Sequence, residues 1–387
     1  MADFGDGLAQ GPDLVAAAED ATAHALAPLA GRRPDLLAVF VCHPTADAVA
    51  DAASRAMEVA GARVSIGCGA GGVIGDARGV EGAPAVAVWA ASLPEARLTS
   101  FRLDATRTDR GLSVGGMPTR GDGDAVAILL ADPFTFPVQG FVEQSGSVLG
   151  GLPLVGGLAS GGTGPGTSRL FLDGRVVDRG AVGVVLGGPV GVRTLVSQGV
   201  RPVGSPMTVT AADGPHLQGL AGMPAYRKLE EILRGLDERE RELVARGLHL
   251  GIAMDEYADA HGRGDFLVRG LVGADPEAGT LTVGDEVEVG RTVQFQVRDA
   301  AGAAEELDTL TTRHGAGGPT GGALLFSCNG RGRAMFGDDG ADHDVRALRR
   351  GLDGPRVAGF FAGGEIGPVG ARNHLHGFTA SVLAFAP

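Results

Sequence analysis

Apolar positions along the chain follow one repeated order: a short apolar run, an amphipathic segment of helical length, a second apolar run, a glycine-rich turn and a further apolar run. The order occurs three times, and the apolar runs that open it are residues 36–42, 125–132 and 322–328. Short apolar runs bounded by Gly and Pro are typical of buried strands, whereas a 3.6-residue period is typical of helices. We therefore predict an α/β fold of two related halves built from repeated β-α-β-β units, with mixed sheets packed inside and helices outside.

Two of the glycine-rich turns are almost identical. Residues 70–75 read AGGVIG and residues 362–367 read AGGEIG, so the two strings differ only at Val73 and Glu365. Short glycine strings recur by chance in a chain with 66 glycines. The same order of strands and helices surrounds both strings, however, which favours an internal duplication.

The middle of the chain has a different pattern. Residues 213–247 predict the longest helical stretch, broken around Met223 and Pro224, with a charged second half at 227–246 that we expect to be exposed. Period-two alternation and Asp/Gly turns then predict a β-meander as far as residue 300. We predict a boundary near 205–225. The predicted domains are an N-terminal helical extension at 1–33, an N-terminal domain at 34–212 and a C-terminal domain at 213–387.

Gly67, Gly69 and Gly72 have the G-x-G-x-x-G spacing of a dinucleotide-binding loop. Such a loop needs a helix that starts at the glycines, because the helix N-terminus binds the pyrophosphate. Gly75, Gly79, Gly82 and Pro84 follow and disfavour a helix there. The glycines then serve either to turn tight corners or to let a ligand approach the backbone, and three such loops at equivalent places favour a shared cavity.

Composition excludes several classes of function. The net charge is −13 and no basic block occurs, so we expect no nucleic-acid partner. Lys228 is the only lysine, which excludes a P-loop lysine and makes pyridoxal phosphate chemistry improbable. The cysteines at 42, 68 and 328 form no C-x-x-C pair, which argues against disulfides and structural zinc. Without a signal peptide or an apolar run of about 20 residues, we expect a soluble, cytoplasmic protein with no membrane partner.

Several segments resemble the FIST (F-box and intracellular signal transduction) family. The segments at 64–75, 154–162, 170–186 and 197–210 are similar to its N-terminal module, and those at 270–300, 325–332 and 359–370 are similar to its C-terminal module. The resemblance covers roughly residues 34–380. It implies a sensory module that binds small ligands such as amino acids and passes its output to a signalling partner. Because only 33 residues precede the module in this sequence, we expect no F-box among them. The family often has a polar residue where this chain has Val73, which shifts the expected polar role to Glu365.

Arg331 and Glu365 are the main candidates for a ligand site. A guanidinium can hold a carboxylate through two hydrogen bonds, as an amino-acid-like ligand would require. The alternative is an Arg331–Glu365 ion pair that fastens two loops together. The full set of predicted ligand-binding residues comprises Gly71, Gly72, Gly157, Ser160, Arg169, Cys328, Arg331, Gly364, Glu365 and His376.

Other chemistry is possible at the strand ends. Cys42 with His43, Asp132, and Cys328 end equivalent strands, where ligands tend to bind in α/β layers. Cys328 with His374 would be a nucleophile–base pair, so a cysteine-dependent hydrolase or transferase is the alternative function. His374 and His376 have the spacing of two metal ligands, but no third ligand accompanies them, and we predict no metal and no cofactor. A protein-interaction scaffold that uses the charged helix at 227–246 is the third reading. The pattern favours a binding module over an enzyme.

Overall fold

The computed structural model describes residues 1–109, 111–258, 261, 262 and 264–387, which form two compact units. The larger unit contains residues 1–197, 307–375 and 379–387, and the smaller unit contains residues 198–306 and 376–378. The predicted sequence domains divide the chain differently. Within the described residues, no helix combines the length and the apolar character needed to cross a membrane.

The first repeat begins with a strand and a helix that lie ahead of its core. Their bounds are β1 Asp3–Gln10 and α1 Leu14–Leu26, followed by a 3-10 turn at Ala27–Leu29. The core elements are β2 Leu36–Cys42, α2 Ala46–Ala60, β3 Val64–Ala70, β4 Gly72–Gly75, β5 Arg78–Glu81 and β6 Ala85–Ser92. The prediction of a purely helical extension at 1–33 is therefore wrong, because β1 pairs with β6 along its whole length.

The second repeat begins with two strands and not with a strand and a helix, and from its third element on it has the same order of elements as the first. Its strands and helix are β7 Arg97–Thr108, β8 Gly111–Gly115, β9 Asp124–Ala131, α3 Val138–Val148, β10 Leu154–Leu158, β11 Leu170–Leu172, β12 Arg175–Val177 and β13 Ala181–Gly187. Here β9 and β10 are parallel, and β13 pairs with β9 in the antiparallel sense. The first repeat has the matching arrangement of β2, β3 and β6.

The third repeat begins with β14 Val192–Gln198 and continues only after residue 306. Its later elements are β22 Gly322–Cys328, α7 Gly332–Phe336, a 3-10 turn at Gly340–Asp342, α8 His343–Gly351, β23 Arg356–Ala362, β24 Glu365–Val369, β25 Arg372–His376 and β26 Thr379–Phe385. The smaller unit is thus inserted in sequence between the first strand of this repeat and the rest.

The smaller unit accounts for the intervening elements. They are β15 Val200–Asp213, β16 His216–Leu220, β17 Met223–Pro224, α4 Ala225–Gly235, α5 Glu238–Ala245, β18 Leu248–Ala253, β19 Phe266–Asp275, β20 Thr280–Val283 and β21 Thr292–Arg298. The helix α6 Ala300–Ala316 begins in the smaller unit, and its residues 307–316 belong to the larger one. The strand order is β15-β21-β18-β19-β20-β16, and β16 pairs back onto β15, so the sheet closes on itself. The predicted meander is confirmed for β18, β19 and β20, whereas β21 pairs with β18 and not with β20. The predicted helix over 213–222 is wrong, because this segment forms the β15–β16 turn and β16.

The three repeats exchange hairpins in a closed cycle. The hairpin β11–β12 of the second repeat extends the first sheet, β24–β25 of the third repeat extends the second, and β4–β5 of the first repeat extends the third. No repeat therefore completes its sheet from its own residues. The α/β class with mixed sheets is confirmed, and the predicted duplication is a threefold one in the larger unit.

The near-identical turns at 70–75 and 362–367 are strand junctions of this exchange. Residues after Gly71 form β4 and not a helix, so the dinucleotide-binding interpretation is excluded by the local structure as well as by the sequence. Most residues of these two predicted loops belong to strands, because the chain leaves one sheet and enters the next within one or two residues.

Candidate functional site

Strand registers show which positions of the three repeats are equivalent. Each repeat places a glycine of its second parallel strand opposite a residue in the middle of the first, and the pairs are Gly67 with Val39, Gly156 with Leu129 and Gly359 with Leu325. A Cβ atom on any of these glycines would lie 1.7–1.9 Å from the carbonyl oxygen of its partner. A side chain does not fit there, so the close approach of the two strands requires glycine.

The exchanged hairpins pair with the same three glycines. Phe171 lies opposite Gly67, Ile366 opposite Gly156 and Ile74 opposite Gly359. The preceding residues are therefore equivalent to one another, and they are Val73, Leu170 and Glu365. All three side chains are buried, and Val73 and Leu170 belong to one apolar cluster. The third repeat thus has a carboxyl group where the other two repeats have aliphatic side chains.

Glu365 is fully buried and only half satisfied by hydrogen bonds. Its Oε2 accepts hydrogen bonds from the backbone amide of Thr379 at 3.2 Å and from the Thr379 hydroxyl at 2.9 Å. Its Oε1 is buried and has no hydrogen-bond partner among the residues that the structure describes. An unpartnered buried polar atom is costly, and such atoms are rare in folded proteins.

Burial raises the pKa of Glu365 to about 8. The hydrogen bonds from Thr379, the neighbouring Cys328 thiol and the positive charge of Arg331 all lower this pKa, but the loss of hydration outweighs them. At neutral pH the side chain is therefore mainly an uncharged carboxylic acid.

Arg331 is held by Asp344 and not by Glu365. The guanidinium is fully buried; its Nε donates to Oδ2 of Asp344 at 2.7 Å and its Nη2 donates to Oδ1 at 2.8 Å. The Phe336 ring lies 5.5 Å from the guanidinium carbon. The alternative of an Arg331–Glu365 ion pair is wrong, because the Asp344 carboxylate on α8 occupies the Nε and Nη2 atoms of Arg331. A ligand carboxylate cannot use the same two atoms while Asp344 occupies them.

Asp344 accepts hydrogen bonds from more than one neighbour. Besides Arg331, the Ser327 hydroxyl donates to it at 2.7 Å, and His343 Nδ1 lies 2.9 Å from Oδ1. Burial opposes its ionisation, but the charge and hydrogen bonds of Arg331 prevail and hold the pKa of Asp344 well below its usual range. The larger unit therefore buries both a charged pair, Arg331 with Asp344, and a mainly uncharged acid, Glu365.

Cys328 ends β22 and is nearly buried. The backbone amide of Gly330 donates to its Sγ at 3.4 Å, and its thiol lies beside the Glu365 carboxyl group. His374, the predicted base for this cysteine, lies on β25 in the same unit, whereas His376 is assigned to the smaller unit. Within the described residues, no three His, Cys, Asp or Glu side chains cluster as metal ligands would.

The predicted glycine-loop residues lie at the strand junctions. The Ser160 hydroxyl accepts a hydrogen bond from the Gly71 amide at 3.0 Å and donates one to the Phe361 carbonyl, so it connects all three repeats. Gly157 pairs directly with Glu365, and the Gly364 carbonyl accepts from the Leu158 amide at 2.9 Å. These residues hold the exchanged hairpins in register around Glu365. Gly72 begins β4.

The remaining predicted residues have local structural partners. Arg169 donates to the carbonyls of Gly166 and Ser168 at 2.8 and 2.9 Å, its guanidinium lies 3.9 Å from Asp47, and its own carbonyl accepts from the Gly69 amide at 2.8 Å. The strand registers also make Cys42, Asp132 and Cys328 equivalent. Each lies three residues after the residue that pairs with the glycine of its repeat, namely Val39, Leu129 or Leu325.

Cys42 and Asp132 occupy the position of Cys328 in the first two repeats, but neither lies beside a buried glutamate equivalent to Glu365, because Val73 and Leu170 stand at that position. Asp132 accepts from the Phe134 amide at 3.3 Å and from the Thr135 hydroxyl, which orders the chain before α3. Burial raises the pKa of the Cys42 thiol despite backbone amides from Gly82 and Ala83.

Two residues of the site had no signal in the sequence. Thr379 begins an apolar closing strand, and only the fold shows that both its amide and its hydroxyl meet Glu365. Asp344 lies in an amphipathic helix that reads as a charged surface segment. The apolar period of this helix does not show that Asp344, unlike the other charged residues beside it, lies on the buried face.

Comparison with known protein families finds two matches, and both are domains of the same family. The model described as FIST N domain matches residues 35–223, and the model described as FIST C domain matches residues 225–368. "Uncharacterized protein Rv0628c" of Mycobacterium tuberculosis is 45% identical over 384 residues, which is 99% of each chain. "Uncharacterized protein Mb0898c" of Mycobacterium bovis is 44% identical over 384 residues, which is 99% of this chain and 98% of the relative.

Proposed function

The chain belongs to the FIST family, whose domains are sensory domains of signal transduction, and from this premise we propose that it is a small-molecule-binding sensory module. Its ligand is an amino-acid-like or other small anionic molecule, and the signal passes to a separate partner protein. The ligand site is centred on Glu365, with Cys328 and Thr379 beside it and the glycine junctions around it.

The unpartnered Oε1 atom of Glu365 is the observation that carries this proposal. The other two repeats show that the fold accommodates Val73 or Leu170 at the equivalent position. A buried polar atom without a hydrogen bond costs about 1–3 kcal/mol. The third repeat therefore carries a carboxyl group with one unpaired oxygen at a position where the other two repeats have aliphatic side chains. A ligand that completes the missing hydrogen bond explains why a carboxyl group is present.

The charges of the site suit a small anion. Glu365 is mainly neutral near pH 7, so it does not repel a carboxylate, and Arg331 adds a nearby positive charge that Asp344 balances. A site of this kind recognises an anion by hydrogen bonding and not by a free counter-charge. That mode gives specificity for shape and for acceptor geometry.

A thermal-shift screen with amino acids and small carboxylates tests the proposal. We expect at least one compound to raise the unfolding temperature of the natural chain, because a ligand that binds only the folded state stabilises it. Glu365→Val, which installs the residue of the first repeat, should abolish that shift. Leu170→Val is the matched control, since it places the same residue at the equivalent position of the second repeat and should leave the shift intact.

Two results would contradict this site. One is a ligand whose affinity is the same for the natural chain and for Glu365→Val. The other is a ligand whose affinity falls as much in Leu170→Val as in Glu365→Val, because the effect would then come from general repacking of the core.

A further inference from the structure

The two oxygens of Glu365 have different roles. Oε2 already accepts two hydrogen bonds, both from Thr379, which is the usual capacity of a carbonyl oxygen. The proton of the uncharged acid is then best placed on Oε1, which makes no hydrogen bond within the part of the chain that the structure describes. Oε1 is thus a buried hydrogen-bond donor that lacks an acceptor.

We propose that the ligand presents a carboxylate oxygen to the protonated Oε1 of Glu365, so that ligand and protein share this proton in the complex. The inference rests on the proposed function and specifies it. An amino-acid-like ligand would meet Glu365 with its carboxylate and not with its ammonium group. Binding would require the protonated form of the residue, and the affinity would depend on pH.

The charged and titratable groups around Glu365 favour this arrangement. Cys328 and Arg331 approach it from the end of β22 and the following turn, and Asp344 on α8 lies behind Arg331. Thr379 on β26 and Gly157 on β10 contribute no charge. A carboxylate ligand adds negative charge beside the acid, which strengthens its hold on the proton. An ammonium group at Oε1 would need the acid to ionise in a buried site, against the cost of burial.

Three probes of similar size separate these possibilities: propionate, alanine and propylamine. Titration calorimetry of the full chain from about pH 6 to about pH 9 should show binding of propionate and alanine and none of propylamine. The affinity of both carboxylates should fall about tenfold per pH unit above the pKa of about 8. Near pH 8.5 the binding enthalpy should change with the ionisation enthalpy of the buffer, because the complex takes up a proton.

Glu365→Gln is the variant that isolates the proton. Its amide can donate from the position of Oε1 while its carbonyl accepts from Thr379, so it should keep the affinity for propionate within a few-fold and lose the pH dependence. Glu365→Val supplies no donor and should not bind the probe.

Each of the other outcomes overturns the inference. If propylamine binds and its affinity rises above pH 8, Glu365 acts as a counter-ion. If propionate binds with a pH-independent affinity in the natural chain, no proton is shared. Both results leave the proposed sensory function standing. If none of the three probes binds at any pH, the inference is wrong, and the screen with larger ligands decides the proposed function separately.

Discussion

Replacing Glu365 by Gln should change how the stability of the larger unit depends on pH. The pKa of Glu365 is about 8 in the folded chain against 4.5 for an exposed glutamate. Between these values the folded state holds a proton that the unfolded state has released. Such a group stabilises the folded state fully at a pH below its pKa in the unfolded chain. This stabilisation is lost as the pH rises through its pKa in the folded chain.

The magnitude follows from proton linkage. One bound proton changes the free energy of unfolding by about 1.4 kcal/mol per pH unit. From about pH 5 to about pH 7 the natural chain should lose about 2–3 kcal/mol through Glu365, whereas the Gln variant loses none by this route. Asp344 and His249 also have shifted pKa values, lower than usual in both cases, but they are present in both chains and cancel in the difference.

The assay is urea unfolding followed by tryptophan fluorescence at several pH values. Trp89 is the only tryptophan and is buried in the larger unit, so its signal reports the unit that contains Glu365. We expect the stability of the Gln variant, relative to the natural chain, to rise steadily from pH 5 to pH 7. A difference that stays constant over this range would refute the assignment of a buried, protonated carboxyl group.

Four further substitutions, one of them a control, test other parts of the account by the same urea assay. Arg331→Ala should cost about 3–5 kcal/mol, because it leaves the Asp344 carboxylate buried without its counter-charge; a loss below about 1 kcal/mol would mean that the pair is solvated. Glu365→Val should change the free energy of unfolding by no more than about 2 kcal/mol near pH 7, because removal of the unpartnered Oε1 offsets the loss of the two hydrogen bonds that Thr379 donates to Oε2; a larger loss would mean that Oε1 is paired in the folded chain. Gly359→Ala should prevent the normal fold, because its Cβ would lie 1.7 Å from a backbone oxygen, whereas Gly377→Ala meets nothing within 4 Å and should fold normally. Equal stability of these two variants would refute the strand register.

Local patterns predicted the elements well where side chains alternate or cluster. The runs at 36–42 and 322–328 are β2 and β22 with the predicted bounds, and the near-identical turns correctly indicated a duplication. The strand β1 was not predicted, because Gly5 and Gly7 interrupt its apolar pattern. Both glycines are required by packing, since a Cβ on either would lie about 2 Å from a carbonyl of α1. Here the tertiary contact, and not local propensity, determines the residue.

Helix prediction failed for two segments of the chain. Residues 216–220 form a strand because the closed sheet of the smaller unit supplies partners on both sides. The helix α6 was not predicted, because glycines and threonines weaken its apolar period.

The candidate site was predicted in part. The sequence identified Glu365 through its contrast with Val73, and it identified Arg331 and Cys328 through their position after a strand. It gave the wrong partner for Arg331, because a pairing with α8 depends on how distant segments pack. The hairpin exchange could not be predicted for the same reason, because it pairs residues such as Gly359 and Ile74 that lie far apart in the chain. No local pattern encodes such a pairing, so the equivalence of Leu170 to Val73 and Glu365 becomes visible only in the fold.

The central claim is that Glu365 is a protonated acid whose free oxygen receives the ligand. Carbon-13 NMR of a chain labelled at the glutamate side-chain carboxyl carbon measures this directly, with Glu365→Gln identifying the resonance by its disappearance. We predict a resonance that titrates with a pKa of about 8, and whose midpoint moves to higher pH when propionate is added. A resonance that titrates near 4.5, or that neither shifts nor changes its midpoint with the ligand identified by the screen, would contradict the account.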